Sequence, residues 1–448
     1  MARTRSKVAL FLLHAFYDAL FVGFLVLTLP YFVVRGLRDR GLRRSLSGRF
    51  GGGPCRTGAR PCVWIHGVSV GELKAARKLV GDLAVARSDA ELVISSTTSA
   101  GFELAQKLFP RLLVIQFPLD LRWIIRRVLD RVRPDLIVLV ELEIWPNLLH
   151  EAWRRRIPVA VVNGRVSSRS FRGYRLFSRL LPQFELIERY AVQNDEYAGR
   201  LRKLGVPDAQ VEITGNMKYD TLRADLPVEQ LARVRAELGL SAGERVVVAG
   251  STHPGEEELL LEMLPRLERA TPGVRLLIAP RHVERAEEVV RLVERAGRVP
   301  ARLTKLRSGA AAAGRGSVLV ADTIGELEHF YGLADVVFVG GSLVARGGQN
   351  MLEPAALGKA TLFGPQTENF AAEVGLLLGH DGGRQVADAA ELERAISGLL
   401  ADPAAARALG ERGRQVVASL LGGTAKNLDL VLSLLDRTKA AVSTLPNG

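Results

Sequence analysis

Carboxylates that follow predicted strands are the first residues in this sequence with the chemistry for proton transfer. Glu72 ends the turn HGVSVGE at 66–72, directly after the apolar run 63–65 and at the predicted start of a helix. If partial burial raises its pKa, Glu72 can take a proton from a hydroxyl near neutral pH and act as a general base. Ser69 and Glu72 also match the S-x-x-E capping box, in which the glutamate has only a structural role. The spacing alone leaves both interpretations open.

Two further carboxylates, Glu141 and Glu143, follow the apolar run 136–140. Residues two apart on a strand point to the same side, so this pair could orient or polarise an acceptor. The competing interpretation is ion pairing with the arginines that come soon after, Arg154, Arg155 and Arg156.

Three turns in the second half of the sequence have the composition of an anion site. Arg281, in the sequence PRH at 280–282, follows a predicted strand and could form two hydrogen bonds with one phosphate or carboxylate. Residues 322–326, which read DTIGE, start a predicted helix with free amide groups. The glycine turns at 340–342 and 347–349 allow a ligand to approach the backbone.

Glu353 lies in the first turn of the helix predicted after the second glycine turn and could bind ribose hydroxyls. Asn350 and Glu353 also match an N-x-x-E capping pattern, and a single glycine turn is weak evidence of a site. The clustering of three such turns at successive strand ends is what favours an anion site. No G-x-G-x-x-G or G-x-x-x-x-G-K-[ST] motif is present, which argues against a dehydrogenase or a P-loop enzyme.

Alternating apolar runs and amphipathic stretches must position these residues. The pattern covers 63–192 and recurs over 246–363. Its apolar runs of strand length are 63–65, 92–94, 112–115, 136–140, 159–162 and 190–192 in the first half, and 246–249, 275–279, 318–321, 336–339 and 360–363 in the second. It predicts two parallel sheets covered on both faces, and therefore two doubly wound α/β domains. A length of 448 residues likewise exceeds one ordinary hydrophobic core. Ligands of such sheets bind at the carboxyl ends of the strands, and two facing sheets would form a cleft.

The formal net charge of +13 predicts a polyanionic neighbour: nucleic acid, anionic lipid or a phosphorylated substrate. Nucleic acid is disfavoured because the basic residues are not interleaved with aromatic residues and no nucleic-acid reader motif is present. The two cysteines, Cys55 and Cys62, have no second pair to complete a zinc site. We therefore expect a reduced compartment and no structural metal.

The N-terminal segment 8–34 carries one formal charge, Asp18, and is long enough to span a bilayer. We interpret it as a membrane anchor and not as a cleaved signal peptide, because no small-x-small cleavage site precedes the basic stretch 35–44. This arginine-rich flank favours a cytoplasmic location for the rest of the chain. Asp18 would cost about 2.5 to 3.5 kcal/mol at the bilayer centre, so a helix lying in the membrane plane is the alternative to a spanning one.

At these turns the sequence resembles the 3-deoxy-D-manno-octulosonic acid (Kdo) transferases of lipopolysaccharide synthesis. The resemblance extends from the N-terminal segment almost to the C-terminus. Its motifs, in order, are SVGE at 69–72, ELEIWPN at 141–147, NGRVS at 163–167, GNMKYD at 215–220, STHPGEE at 251–257, PRH at 280–282 and the residues 340–353. Leu142, Gln349 and Met351 stand where that family usually has Thr, His and Pro.

The resemblance implies the GT-B glycosyltransferase fold, an α/β fold with two Rossmann-like domains facing a central cleft, here with an N-terminal membrane-anchor helix. It also implies a location at the bacterial inner membrane, with the catalytic domains on the cytoplasmic face. We divide the chain into an anchor with its basic flank (1–44), a linker (45–61), an acceptor-binding domain (62–220), an interdomain linker (221–243) and a donor-binding domain with the C-terminal helices (244–448).

The resemblance implies roles for individual residues as well. Glu72 would be the general base, and Glu141 and Lys218 would stabilise the transition state. The implied CMP site comprises Pro280, Arg281, Ile324, Gly325, Glu326, Asn350, Met351, Leu352 and Glu353. The implied reaction is inverting, single-displacement transfer of Kdo from CMP-Kdo to the lipid A precursor lipid IVA, with no cofactor and no metal.

Two alternatives differ from this prediction. One is another GT-B transferase with a UDP-sugar donor, which UDP and not CMP would inhibit. The other is a non-catalytic membrane protein that binds sugar nucleotides, in which Glu72→Gln would leave function intact.

Overall fold

The computed structural model describes residues 15–23, 26–27, 47–177, 183–310 and 312–443. The chain divides into two compact units. The first comprises Met1–Thr221 together with Leu421–Gly448, and the second comprises Leu222–Leu420. Each unit contains a seven-stranded sheet, so the predicted pair of α/β domains is confirmed.

The first sheet is parallel throughout. Its strands are β1 (Cys62–His66), β2 (Glu91–Ser96), β3 (Leu113–Gln116), β4 (Leu136–Val140), β5 (Val159–Gly164), β6 (Arg189–Val192) and β7 (Val211–Ile213). They lie in the order β3-β2-β1-β4-β5-β6-β7. The chain order therefore reverses between β1 and β4, which are direct neighbours.

The second sheet is also parallel throughout. Its strands are β8 (Val246–Thr252), β9 (Arg275–Pro280), β10 (Pro300–Arg302), β11 (Val318–Val320), β12 (Val336–Val339), β13 (Ala360–Phe363) and β14 (Arg384–Gln385). They lie in the order β10-β11-β9-β8-β12-β13-β14. Here the reversal falls between β8 and β12.

Helices connect the strands. In chain order they are α1 (Val70–Ala86), α2 (Ser99–Leu108), α3 (Arg122–Val132), α4 (Pro146–Arg154), α5 (Ser168–Phe177), α6 (Asp195–Lys203), α7 (Val228–Glu237), α8 (Glu256–Ala270), α9 (Ala286–Arg295), α10 (Leu303–Arg307), α11 (Leu327–Leu333), α12 (Leu352–Ala356), α13 (Ala371–Gly379), α14 (Ala389–Ala401), α15 (Pro403–Leu420) and α16 (Gly423–Ser443). The helices α1 to α6 and α16 belong to the first unit, and α7 to α15 belong to the second.

Strand β4, with the sequence LIVLV, shows why the first sheet has a hydrophobic core on each face. All five of its residues are buried. Ile137 and Leu139 pack into one hydrophobic cluster, whereas Leu136, Val138 and Val140 pack into another. A strand covered on both faces has no polar side, so its sequence is a continuous apolar run and not an alternating pattern.

The edge strands β7, β10 and β14 were not among the predicted strands. Each has only two or three residues and contains a charged one, in the sequences VEI, PAR and RQ. An edge strand has a neighbour on one side only and does not have to be apolar throughout. The apolar pattern therefore finds the sheet centres and the apolar edge strand β3, and it misses the three short edge strands that contain a charged residue.

The domain boundaries differ from the predicted ones at two places. The stretch 221–243, predicted as a linker, contains α7, which packs against α11 in the second unit. The last helix, α16, was assigned to the donor-binding domain but contacts α1, β4 and β5 in the first unit. Leu430, Val431, Leu434 and Leu435 of α16 are buried in a core cluster of that unit. Burial of the apolar face of α16 explains why the chain returns to the first unit after the second unit is complete.

The predicted membrane anchor, 8–34, lies largely outside the described residues, which here are 15–23 and 26–27. In this part, Asp18 accepts a hydrogen bond of 2.6 Å from Nδ2 of Asn147 and lies 4.0 Å from Nε of Arg122. The single formal charge of the segment is therefore in contact with the first unit. Among the described residues, no helix combines the length and the apolar character needed to cross a bilayer.

Candidate active site

The candidate residues follow the strands at which the order of each sheet reverses. In open parallel sheets, ligands bind outside the carboxyl ends of the strands at this point. In the first unit, Glu72 comes after β1 and Glu141 after β4. In the second unit, His253 comes after β8 and Gly340 after β12. Each unit therefore has its own candidate site.

Glu72 is held at the start of α1 by hydrogen bonds within its turn. The Ser69 hydroxyl donates to Oε1 of Glu72 at 2.8 Å, and the Val68 amide donates to Oε2 at 2.7 Å. Ser69 Oγ also accepts from the Glu72 amide at 3.4 Å, as the capping pattern predicted. Glu72 is only 9% exposed, and this burial raises the pKa of its carboxyl although both hydrogen bonds oppose the shift. The residue is therefore both a helix cap and a buried carboxylate with a raised pKa.

Glu141 forms an ion pair with Lys218, another residue of the predicted catalytic group. Nζ of Lys218 lies 3.2 Å from Oε1 of Glu141. Glu141 has a φ of 61°, which is uncommon for a residue other than glycine. The alternative of pairing with the following arginines is wrong for Glu141, since Arg154 and Arg155 pair with other carboxylates.

Glu143 is a third carboxylate of this site. Burial raises its pKa to about 7, and the negative charges of Glu72 and Glu141 contribute to the shift. The sequence predicted that Glu143, paired with Glu141 at the strand end, could orient or polarise an acceptor. The spacing did not indicate the raised pKa, which comes first from burial and then from the charges of Glu72 and Glu141.

Buried asparagines hold the loop that carries Lys218. Oδ1 of Asn163, near the end of β5, accepts a hydrogen bond of 3.0 Å from the Met217 amide. The Asn163 amide donates to Oδ1 of Asn427, in α16, also at 3.0 Å. Both asparagines are fully buried. These bonds fix the residue before Lys218 and connect it to the C-terminal helix.

His66, the last residue of β1, lies under this site. Its Nδ1 is 2.9 Å from Oγ of Ser95, and its ring stacks on Phe117 with the centroids 3.7 Å apart. Burial lowers the pKa of His66 to about 3, so the ring is neutral at pH 7. His66 therefore belongs to the core that supports the turn before Glu72. The sequence, in which His66 is one histidine after an apolar run, did not predict this role.

Arg281 and Glu353 lie close enough in the second unit for the charge of Arg281 to affect the Glu353 carboxyl. The Arg281 amide donates to the Thr252 carbonyl at 3.0 Å, which places Arg281 beside the end of β8. Its side chain is exposed. Burial raises the pKa of Glu353, and the hydrogen bond from Asn350 and the charge of Arg281 oppose this shift.

The turn before α12 has the capping geometry that the N-x-x-E pattern predicted. Nδ2 of Asn350 donates to Oε1 of Glu353 at 3.1 Å, and Oδ1 of Asn350 accepts from the Leu352 amide at 3.1 Å. Met351 and Leu352 are buried. Asn350 and Glu353 therefore present the polar groups of this turn, and the two apolar residues between them anchor it.

The predicted anion turn 322–326 precedes α11. Ile324 is 80% exposed, and Gly325 has a φ of 86°. The Glu326 carboxylate lies 2.7 Å from Nη2 of Arg307, and this hydrogen bond lowers its pKa. Ile324 and Gly325 are accessible to a ligand, whereas the Glu326 side chain is already paired.

The glycine turn after β12 differs from its prediction. The amides of residues 341, 342 and 343 donate to the carboxylate of Glu256 at 2.7, 3.1 and 3.1 Å. Glu256 is fully buried at the start of α8. The expected approach of a ligand to this stretch of backbone is wrong for these three amides, because a carboxylate of the chain itself occupies the position of the anion.

The comparisons with known proteins fit this geometry. A family model described as 3-deoxy-D-manno-octulosonic-acid transferase (kdotransferase) matches residues 44–221. A 3-deoxy-D-manno-octulosonic acid transferase of Haemophilus influenzae is 33% identical over 379 residues, covering 84% of this chain and 87% of the relative. The chain belongs to the Kdo transferase family.

A second Kdo transferase, from Bordetella pertussis, is 33% identical over 384 residues, which cover 82% of this chain and 86% of the relative. A solved glycosyltransferase structure from Rickettsia africae covers 84% of this chain and 99% of that one, with a TM-score of 0.53 and 12% identity. At this identity the likeness concerns the fold alone. The two units of this Kdo transferase family member resemble those of GT-B glycosyltransferases.

In this Kdo transferase family member, the first unit brings together Glu72, Glu141 and Lys218, and the second brings together Arg281 and Glu353. Within the described ranges, no group of three or more His, Cys, Asp or Glu side chains has an arrangement that could hold a metal ion. The first set offers proton transfer and charge stabilisation, and the second offers groups for an anion and for hydroxyls.

Proposed function

We propose that this chain transfers Kdo from CMP-Kdo to a hydroxyl of the lipid A precursor lipid IVA, with inversion at the anomeric carbon. Family membership supports Kdo as the transferred sugar. One observation carries the mechanism: the buried Glu72, whose pKa is raised, follows β1 where the strand order reverses. A carboxylate in such an environment is suited to remove a hydroxyl proton.

In this mechanism Glu72 takes the proton of the acceptor hydroxyl as the hydroxyl oxygen attacks the anomeric carbon. The bond from that carbon to the phosphate oxygen breaks, and CMP leaves with the electron pair. A carboxylate has about four lone-pair sites, so the bonds from Val68 and Ser69 orient Glu72 and leave it able to accept a proton. General base catalysis of this kind contributes about 10²- to 10⁴-fold to the rate.

Lys218 and Glu141 are the proposed transition-state stabilisers. An ammonium held by an ion pair is oriented before the reaction and can offset negative charge as it develops. In the second unit, Arg281 is the proposed ligand of the CMP phosphate and Glu353 of the ribose hydroxyls. The rest of the proposed CMP site comprises Pro280, Ile324, Gly325, Glu326, Asn350, Met351 and Leu352.

The proposed place of reaction is the cytoplasmic face of the bacterial inner membrane, with residues 1–44 as the attachment. The net charge of +13 suits an acceptor that carries phosphates in an anionic lipid surface. Cell fractionation of the full chain and of a chain that starts at residue 45 tests the attachment. We expect the shorter chain to lose its membrane association; equal association of both would remove residues 1–44 from this role.

The activity is tested with the purified protein, CMP-Kdo and tetraacylated lipid A precursor. We expect Kdo transfer by the parent, inhibition by CMP and no inhibition by UDP. A folded Glu72→Gln variant should bind CMP like the parent and transfer little Kdo. Activity with a UDP-sugar in place of CMP-Kdo would contradict the proposed donor, and full activity of the variant would contradict the proposed base.

A further inference from the structure

Cationic side chains surround His253 where the strand order of the second sheet reverses. His253 directly follows β8, and the turn after β12 lies against it: a Cβ atom at Gly341 would be only 3.1 Å from Cδ2 of His253. The ring of His282, which follows β9, lies with its centroid 6.0 Å from that of His253. Three strand ends therefore converge on one histidine that is 9% exposed.

Gln349 orients this histidine. Its Nε2 lies 3.2 Å from Nε2 of His253. An amide nitrogen can only donate, so Nε2 of His253 accepts this bond and Nδ1 carries the proton of the neutral ring. His253 then offers an N–H donor. Its direction is set by Gln349, which stands where the family usually has His.

The charges around His253 are not balanced. Burial lowers its pKa, and the charges of four neighbours lower it further: Arg346, His282, Arg285 and Arg281. Arg285 is compensated by Glu257 at 2.9 Å and Glu288 at 3.1 Å. In the described part of the chain, no carboxylate lies within ion-pair distance of Arg281 or Arg346, and both side chains are exposed. Excess positive charge at a partly buried site favours an anionic ligand.

The nearby carboxylate Glu256 does not reduce this excess at the surface of the site. Its oxygens accept from the amides of His253, Gly341, Ser342 and Leu343. Glu256 is fully buried behind the turn. The positive charge of the exposed Arg281 and Arg346 is therefore available to an anionic ligand.

The proposed donor has two anionic groups, and this inference rests on that proposed function. In a 2-keto sugar acid linked to CMP, the anomeric carbon bears the phosphate oxygen and the carboxylate together. A protein that binds such a donor needs two neighbouring anion sites. Arg281 is the proposed site for the phosphate, and the cations beside it remain for the second group.

We propose that His253, Gln349 and Arg346 form the subsite for the carboxylate of the donor sugar. Arg346 supplies the charge, His253 supplies an oriented N–H group, and Gln349 holds the imidazole in place. The subsite would distinguish an acidic sugar from a neutral sugar on the same nucleotide, because a neutral sugar would leave these donors without an anion.

The test uses the full-length protein and two ligands that differ in the Kdo sugar, which carries the carboxylate. CMP has the nucleotide and the phosphate, and CMP-Kdo also has the sugar acid. The KM for CMP-Kdo in the transfer reaction and the Kd for CMP by calorimetry are measured for the parent, Arg346→Gln and His253→Gln. Arg291→Gln, which changes an exposed arginine of α9, is the matched control.

Because a hydrogen bond to a charged group is at stake, we expect Arg346→Gln and His253→Gln to raise the KM for CMP-Kdo about tenfold or more, with the Kd for CMP changed less than about twofold. Arg291→Gln should change neither constant. Equal weakening of both ligands would assign the cluster to the phosphate and overturn the carboxylate subsite. An unchanged KM in Arg346→Gln would overturn it as well, and this variant alters an exposed side chain, so the result does not depend on the packing of His253.

Failure of the proposed function has a different signature. The parent would then transfer no Kdo from CMP-Kdo, and this result would overturn the proposed reaction and the subsite together. Transfer by the parent together with an unchanged KM in the variants overturns the subsite alone.

Discussion

Oδ1 of Asn427, in the last helix, accepts a hydrogen bond of 3.0 Å from the backbone amide of Asn163, near the end of β5. Nδ2 of Asn427 donates to Oγ1 of Thr214 at 2.9 Å. Asn163 in turn accepts from the Met217 amide, one residue before the proposed catalytic lysine. A helix from the far end of the sequence therefore determines where Lys218 lies.

Replacement of Asn427 by Ala should destabilise the first unit and lower kcat. The change leaves the buried Asn163 amide without its acceptor, at a cost of about 1–3 kcal/mol, whereas the Thr214 hydroxyl keeps its bond to the Val192 carbonyl. Thermal unfolding and kcat are measured together, with Asp429→Ala, an exposed change on the same helix, as the control. Lower stability with an unchanged kcat would show that Asn427 supports the fold and does not position Lys218.

Glu72→Gln should lower kcat by about 10²- to 10⁴-fold, because the amide cannot accept a proton near neutral pH. The Kd for CMP should stay the same. Ser69→Ala removes the cap, at about 0.5–2 kcal/mol of stability, and one of the two bonds to the carboxylate, but it keeps the carboxylate and its bond from the Val68 amide. Its kcat should therefore fall much less than that of Glu72→Gln. If both variants lost the same fraction of kcat, the role of Glu72 would be the cap alone.

Glu143→Gln should leave the acid limb of the activity in place. Burial and the negative charges of Glu72 and Glu141 raise the pKa of Glu143 to about 7, so this carboxyl is mostly protonated and neutral in more acidic buffer. The neutral amide of Gln mimics that state, and the raised pKa of Glu72 comes first from its own burial. The acid limb of kcat/KM against pH should coincide for parent and variant; a limb that moves to lower pH would mean that Glu143 is charged where the base titrates.

The same substitution should change how stability depends on pH. The pKa of Glu143 is raised from 4.5 to about 7 on folding, so the folded protein binds more protons than the unfolded chain between these values. Stability therefore falls as the pH rises through this window. The melting temperature of Glu143→Gln, relative to that of the parent, should therefore increase as the pH is raised from 4.5 to 8. A constant difference over this range would contradict the shifted pKa.

Glu256→Ala should destabilise the second unit and weaken CMP binding. Three amides of the turn after β12 lose their acceptor, at about 1–3 kcal/mol for each buried N–H that stays unpaired. Melting temperature and the Kd for CMP are the measurements, and Glu262→Ala, an exposed change on α8, is the control. Parent-like stability would show that water replaces the carboxylate without cost.

Continuous apolar runs made the centre of each sheet predictable. The bounds of β4, β12 and β13 agree with the runs 136–140, 336–339 and 360–363 residue for residue. Those strands are buried on both faces, so every position requires an apolar side chain. The candidate residues were predictable for a related reason: turns at strand ends have short, recognisable sequences.

Contacts between distant parts of the chain were not predictable. Glu256 belongs to a run of three glutamates that resembles any acidic helix start, and only the fold shows that its carboxylate meets the turn after β12. Burial is the main cause of the raised pKa of Glu143, and part of the shift comes from Glu72, which lies on a different strand-to-helix turn. In both cases the pattern gives the residue type, and tertiary packing decides the partner.

The return of α16 to the first unit also sets an order of events during synthesis. The ribosome makes residues 62–220, then the whole second unit, and only then the helix that completes the first core. Until then the nascent first unit keeps the apolar surface that α16 covers exposed and available to chaperones. The second unit is continuous in sequence and has no such delay. We therefore expect the unit that is translated first to finish folding last.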